Sequence, residues 1–110
     1  MTIPEPTVFA SRYEVSCLPL DQPERMYFTV TVEHRGSGRW AVKRDGWCYD
    51  ANGERDYESI PSEIRDEWLL RFRFDLDAAL ELAKRIAPQI RVNRFSVADA
   101  LATAEEGRDA

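Results

Sequence analysis

Short runs of alternating apolar and polar residues dominate the first half of the sequence and restrict the folds open to it. Between residues 26 and 35, the side chains at 26, 28, 30 and 32 are apolar, and their neighbours are mostly polar. A period of two is typical of a half-buried β-strand. The same alternation predicts a strand at residues 13–17 and a returning strand from Trp40.

Turn sequences separate these runs. The segment Gly36-Ser37-Gly38 and the dipeptides Asp45-Gly46 and Asn52-Gly53 supply residues that adopt positive φ, as tight hairpins require. Trp47 then opens a fourth predicted strand, and Tyr57 lies on a short fifth one. The first half of the chain therefore predicts an antiparallel meander of four or five strands.

The period changes after Pro61. Ser62 is a predicted N-cap, and Ile64, Trp68 and Phe72 recur at helical spacing. This pattern predicts a first helix over roughly residues 63–72.

Two further helices follow. Asp75 is a predicted N-cap for a helix with one apolar face over residues 76–87, which ends before Pro88. Ser96 and Asp99 have the spacing of a capping box for a last helix. Because the sheet and the helices each have an apolar side, they are expected to cover one another. The predicted fold class is α+β: the meander packs against two or three C-terminal helices as a two-layer sandwich.

The length of 110 residues suits one domain. Residues 1–11 contain two prolines and no apolar period, which predicts a flexible arm before a domain at 12–104 and a frayed tail at 105–110. No run approaches the ~20 apolar residues of a membrane helix, and the N-terminus lacks the pattern of a signal peptide. We therefore expect a soluble cytoplasmic protein that does not enter membranes.

The charge of the chain is unevenly placed. Residues 45–67 hold eight acidic and two basic residues, a net charge of −6 in a chain of −5. An acidic, aromatic-rich hairpin edge could bind a protein partner, since complementary charge speeds association; a solvated hairpin tip is the plainer alternative. The predicted protein-binding residues are Tyr49, Asp50, Glu54, Asp56, Tyr57 and Glu58. Their spacing lacks the calcium-loop pattern, so no metal is predicted.

Catalytic and cofactor motifs are missing from the sequence. His34 is the only histidine, so it cannot complete a four-ligand zinc site with Cys17 and Cys48. We predict no catalytic residue and no cofactor, and expect both cysteines to be small buried side chains. A cryptic enzyme is left as an alternative, in which His34 or the thiol of a cysteine would be the reactive group.

Several segments resemble a group of small proteins of unknown activity encoded by actinobacteria and their phages. The segments that carry the resemblance are residues 40–46, 56–58, 73–76, 78–80 and 96–101. The resemblance spans roughly residues 12–102 and implies a phage-type accessory protein.

A shorter region, residues 39–87, is similar to modules with a three-stranded sheet and a helix, such as the arm-binding domains of phage integrases. That similarity implies nucleic-acid binding through Arg39, Lys43 and Arg44. The acidic hairpin opposes it, because phosphate contacts dominate such affinity. The preferred hypothesis is thus a non-catalytic module that binds another protein, including a second copy of itself, with nucleic-acid binding as the alternative.

Overall fold

Five antiparallel strands form the central sheet. The computed structural model describes the backbone of residues 1–109 and the side chains of residues 1–103. The strands are β1 (Arg12–Ser16), β2 (Thr29–His34), β3 (Trp40–Arg44), β4 (Trp47–Tyr49) and β5 (Arg55–Tyr57), each paired with the next along the chain. The predicted meander and the α+β class are confirmed.

One face of the sheet carries the main core. Helix α2 (Leu76–Ile86) lies across β1, β2 and β3, and its N-terminus is capped by Asp75, whose carboxylate accepts a hydrogen bond from the Ala78 amide at 2.8 Å. Ala79, Leu82, Ala83 and Ile86 are buried against the apolar side chains of the strands. Burying a side chain such as Leu82 contributes about 2 kcal/mol, so this interface supplies much of the stability.

The opposite face holds a smaller core under helix α1 (Asp66–Phe72). Ala41 alternates with Trp40 and Val42 along β3 and therefore points away from α2. It is buried with Cys48 and Phe72, and Trp68 stacks on Phe72 with ring centroids 4.5 Å apart. The helices thus cover both sides of the sheet, so α1 adds a layer that the predicted two-layer sandwich did not include.

Phe74 marks the crossing from one face to the other. Its amide and carbonyl bond the carbonyl and amide of Trp40 at 3.0 and 2.7 Å. The chain therefore passes along the edge of β3 between α1 and α2.

The last segment contains a small hairpin and the third helix. Strands β6 (Arg91–Val92) and β7 (Phe95–Ser96) pair with each other, and α3 (Val97–Asp109) follows. The Ser96 and Asp99 side chains each accept a hydrogen bond from the other's amide, at 3.1 and 2.9 Å, which is the predicted capping box. Side chains beyond residue 103 are not described, so the frayed tail predicted at 105–110 stays a prediction.

Three local predictions were wrong. Strand β2 begins at Thr29, because Pro23–Phe28 is a 3₁₀ helix that leaves the Met26 side chain exposed. Ser62 does not cap the first helix, because residues 61–63 form a separate 3₁₀ turn and α1 starts at Asp66. Cys17 is exposed rather than buried. Proline at the first position of a short helix explains the first two differences, since its fixed φ suits a helical start.

The first eleven residues are exposed and have neither helix nor strand. Phe9 nevertheless packs against the body, with its ring centroid 4.9 Å from that of His34 and 6.0 Å from that of Trp40. The Ser11 carbonyl also accepts a hydrogen bond from the His34 amide. The end of the arm is therefore attached to β2.

Candidate functional site

Glu58, the last acid of the predicted binding surface, lies among three basic side chains. Its carboxylate accepts hydrogen bonds from Arg35 Nη2 at 2.9 Å and from Arg73 Nη2 at 2.6 Å, and lies 3.0 Å from Lys43 Nζ. The side chain is only 13% exposed, and that of Arg73 is 7% exposed. Glu58 is therefore held inside the protein and is not free to meet a partner.

Burial and charge act in opposite directions on this carboxylate. Burial alone would raise the pKa of Glu58, but the hydrogen bonds and charges of Arg35 and Lys43 outweigh it and lower the pKa to about 2. Beneath the cluster, Cys48 is fully buried. Its burial, with the Glu58 charge, raises the pKa of the thiol to about 11. A thiol with so high a pKa is a poor nucleophile at neutral pH.

Asp50 organises the turn between β4 and β5. Its Oδ1 accepts hydrogen bonds from the amides of Asn52 and Glu54, both at 2.9 Å. Its Oδ2 accepts one from Arg71 Nε at 2.8 Å, and the other arm of Arg71 reaches Glu54 at 2.9 Å. Burial acts to raise the pKa of Asp50, but these donors lower it below its usual value. Asp50 therefore serves the turn and the docking of α1.

Asp56 completes a set of contacts between the hairpin and α1. Its Oδ2 accepts a hydrogen bond from Trp68 Nε1 at 3.1 Å, and its Oδ1 accepts one from the Tyr57 amide at 2.8 Å. Together, Asp50, Glu54 and Asp56 hold α1 on the second face of the sheet. Sequence reasoning missed the partners Arg71 and Trp68, because contacts between residues 12 to 21 positions apart leave no local pattern.

An exposed group of side chains lies on the other side of the same hairpin. Trp47 and Tyr57 are 39% and 59% exposed, and their rings meet edge to face with centroids 5.6 Å apart. The Arg55 guanidinium lies 5.2 Å from the centroid of the Trp47 ring. We call Trp47, Arg55 and Tyr57 the aromatic edge. Of the predicted binding residues it retains only Tyr57; Tyr49, on the same face, is buried.

Gly46 allows the aromatic edge to form. A Cβ atom at this position would lie 2.6 Å from Tyr57 Cε2, closer than real Cβ contacts. The Glu58 amide also bonds the Gly46 carbonyl at 3.1 Å. The tyrosine ring therefore rests on the backbone of the β3–β4 turn, and only glycine leaves room for it.

The structure does not bring the three predicted nucleic-acid contacts together. Lys43 is turned towards Glu58, and Arg39 is exposed near the tip of the β2–β3 hairpin. Arg44 donates a hydrogen bond from Nη2 to the Tyr27 carbonyl at 3.2 Å. Because side chains at 43 and 44 leave opposite faces of a strand, they cannot form one basic surface.

His34 and the cysteines are separated by their surroundings. His34 is half-buried between the rings of Phe9 and Trp40, Cys17 is exposed, and both thiols are free. Among the described side chains, no group of three or more His, Cys, Asp or Glu residues is arranged to hold a metal ion. The helices in the described part of the chain are all too short or too polar to span a membrane.

Comparison with protein-family models, with curated proteins and with solved structures found no match for this chain.

Proposed function

We propose that this chain is a cytoplasmic, non-catalytic protein-binding module whose contact surface is the aromatic edge. The observation that carries the proposal is the exposed, already packed group of Trp47, Arg55 and Tyr57 on the last strand pair of the sheet. Tryptophan, tyrosine and arginine are the residues most enriched among those that dominate binding energy at protein interfaces.

The geometry favours side-chain contacts over strand addition. β5 is an edge strand of three residues. The Tyr57 amide is already bonded to the Asp56 carboxylate, so a partner strand that paired with β5 would have to displace that contact. The two rings are held in place before binding, which lowers the entropy lost when a partner docks.

The proposed contact uses the aromatic edge of the hairpin and not its acidic residues. Tyr49 and Asp50 are buried and Glu58 is enclosed by cations, so a partner meets the aromatic side chains rather than a row of carboxylates. Glu54 and Asp56 remain exposed at the rim. The partner is another protein or a second copy of this chain.

Site-specific photo-cross-linking tests the surface. A photoreactive phenylalanine analogue would replace Tyr57 or, as a matched control, Phe95, which is also 59% exposed. In cells of the organism that encodes the chain, we expect a discrete adduct from position 57 that is lost with Trp47→Ala, and no such adduct from position 95. Identical adducts at both positions, or none at position 57, would refute the proposal.

The phage-type origin is also a proposal, supported by the resemblance of residues 40–46 and 96–101 to small actinobacterial and phage proteins. Neighbouring genes for phage structural or replication proteins would support it. A conserved setting among bacterial housekeeping genes would contradict it.

A further inference from the structure

We propose that a cleft beside the β4–β5 hairpin binds a small polyphosphate ligand of nucleotide size. Four arginines line it, each from a different element: Arg44 from β3, Arg55 from β5, Arg85 from α2 and Arg91 from β6. The cleft has a volume of about 690 Å³, which lies in the range of small-molecule sites. We call it the arginine cleft.

Carboxylates make few contacts with the arginines of the cleft in the described part of the chain. Among the described side chains, none of the four forms an ion pair with a carboxylate. Glu54 is the only acidic residue in the lining, and its carboxylate is bound by Arg71. Hydrogen bonds from Ser96, helped by the charge of Arg91, lower the pKa of Asp99, so Arg91 has one carboxylate nearby. The four positive charges still outnumber the acids around the cleft, and a bound anion would lessen their mutual repulsion.

Ordinary structural roles account for only part of this group. Arg85 lies in the last turn of α2, where a positive charge favours the helix dipole. Arg55 also stacks on Trp47. Arg44 donates a hydrogen bond to the Tyr27 carbonyl, and Arg91 is near Asp99. With these contacts in place, all four side chains still line one cleft.

The chemistry of the lining points to phosphate. Planar guanidinium groups bind phosphate oxygens in pairs, and several of them suit a ligand with three or four negative charges. The remaining lining is mixed: Tyr49, Leu82, Ile86 and Ile90 give an apolar floor, and Asn52 and Gln89 give polar groups at the rim. An apolar floor beside polar amides suits the base of a nucleotide.

A duplex nucleic acid fits these observations less well. The cleft is a local concavity in an acidic protein, so a long polyanion would extend over carboxylates outside it. Such repulsion is screened only beyond about 8 Å at physiological salt. A short polyphosphate, by contrast, is contained within the cleft.

Calorimetric titration tests the site, with ATP, tripolyphosphate and a 20-base-pair DNA duplex as probes. The test variant is the double substitution Arg85→Ala with Arg91→Ala, which leaves the aromatic edge intact. The control is Arg39→Ala with Arg65→Ala, which removes the same charge from exposed positions outside the cleft. Urea unfolding of each variant would verify that the fold is retained.

We expect saturable ATP binding that weakens at least tenfold in the test variant and less than twofold in the control. Competition by tripolyphosphate would support recognition of the phosphate chain. No saturable binding of ATP or tripolyphosphate, or equal weakening in both variants, would overturn the proposal, as would tighter binding of the duplex than of ATP. Because the photo-cross-linking uses position 57 and this test uses positions 85 and 91, either proposal can fail without the other.

Discussion

Substitution of Glu58 by glutamine would remove the one negative charge shared by Arg35, Lys43 and Arg73 while keeping the shape of the side chain. The nitrogen atoms of these three side chains now lie 2.6 to 3.0 Å from the Glu58 oxygens. Without the carboxylate charge, the three cations would repel one another. Arg73 is only 7% exposed, so water cannot replace the lost counter-charge well. Lower stability follows at neutral pH.

The size of this loss follows from the pKa of Glu58 and from its burial. The pKa of Glu58 falls from 4.5 to about 2 on folding, and at 1.36 kcal/mol per pKa unit this corresponds to roughly 3 kcal/mol. Removal of one partner from a buried ion pair costs about 3–5 kcal/mol. Since 13% of the Glu58 side chain meets solvent, we expect the lower end, ~3 kcal/mol.

Urea unfolding followed by tryptophan fluorescence would measure this loss. Glu33→Gln is the matched control: Glu33 also pairs with Arg35, but at 3.4 Å and with 26% of its side chain exposed, so its loss should cost below ~1 kcal/mol.

The pH dependence gives a second measurement. A carboxylate with a lowered pKa stabilises the fold above its unfolded pKa, so the wild type should lose its Glu58 contribution as the pH falls from 4.5 to about 2. The difference between wild type and Glu58→Gln should shrink over that window. A loss below ~1 kcal/mol at pH 7, or a difference that does not change with pH, would refute the physical account of the cluster.

Three smaller predictions follow from single contacts. Asp75→Ala should lower the free energy of unfolding by ~1 kcal/mol through loss of the α2 N-cap, and an unchanged urea midpoint would contradict this. In the native protein at pH 8, a thiol reagent should modify Cys17 rapidly and Cys48 only after unfolding, because Cys48 is fully buried with a pKa raised to about 11; equal rates would argue against that burial. Gly46→Ala should displace the Tyr57 ring and reduce the near-ultraviolet circular dichroism of the aromatic edge, since the new Cβ would lie 2.6 Å from that ring; an unaltered spectrum would count against the packing.

The sequence predicted those parts of the fold that depend on local patterns. The strand alternation from Thr29 onwards, the turn dipeptides, the Asp75 cap and the Ser96–Asp99 capping box all act within a few residues, and each is present in the structure. Helix α1 was predicted with a start three residues too early, but its place on the second face of the sheet was not. Helix α1 covers the second face because Phe72 packs against Ala41 and Cys48, which are distant in sequence. A local pattern of apolar residues does not show such a contact.

The candidate site was predicted less well for the same reason. The sequence pattern singled out the hairpin, but which of its side chains would be exposed depended on partners distant in sequence. Arg71 pairs with Asp50 and Arg73 pairs with Glu58, so these two acids of the segment face inwards. The cleft arginines come from four separate elements and share no spacing that a motif could capture.

Charge counted along a segment and charge presented on a surface are different quantities in this protein. Side chains of opposite charge leave opposite faces of the β5 segment. Asp56 and Glu58 lie on the side of α1. Arg55 and Tyr57 lie on the side of Trp47 and the arginine cleft. The segment with a net charge of −6 therefore presents aromatic and positively charged side chains on its open side. A partner that docks there should offer neutral or acidic groups, because the arginines of the cleft would repel a basic surface. Binding of an acidic partner should then weaken as the ionic strength rises. A partner that binds through a basic patch would instead show that the carboxylates, not the aromatic edge, direct recognition.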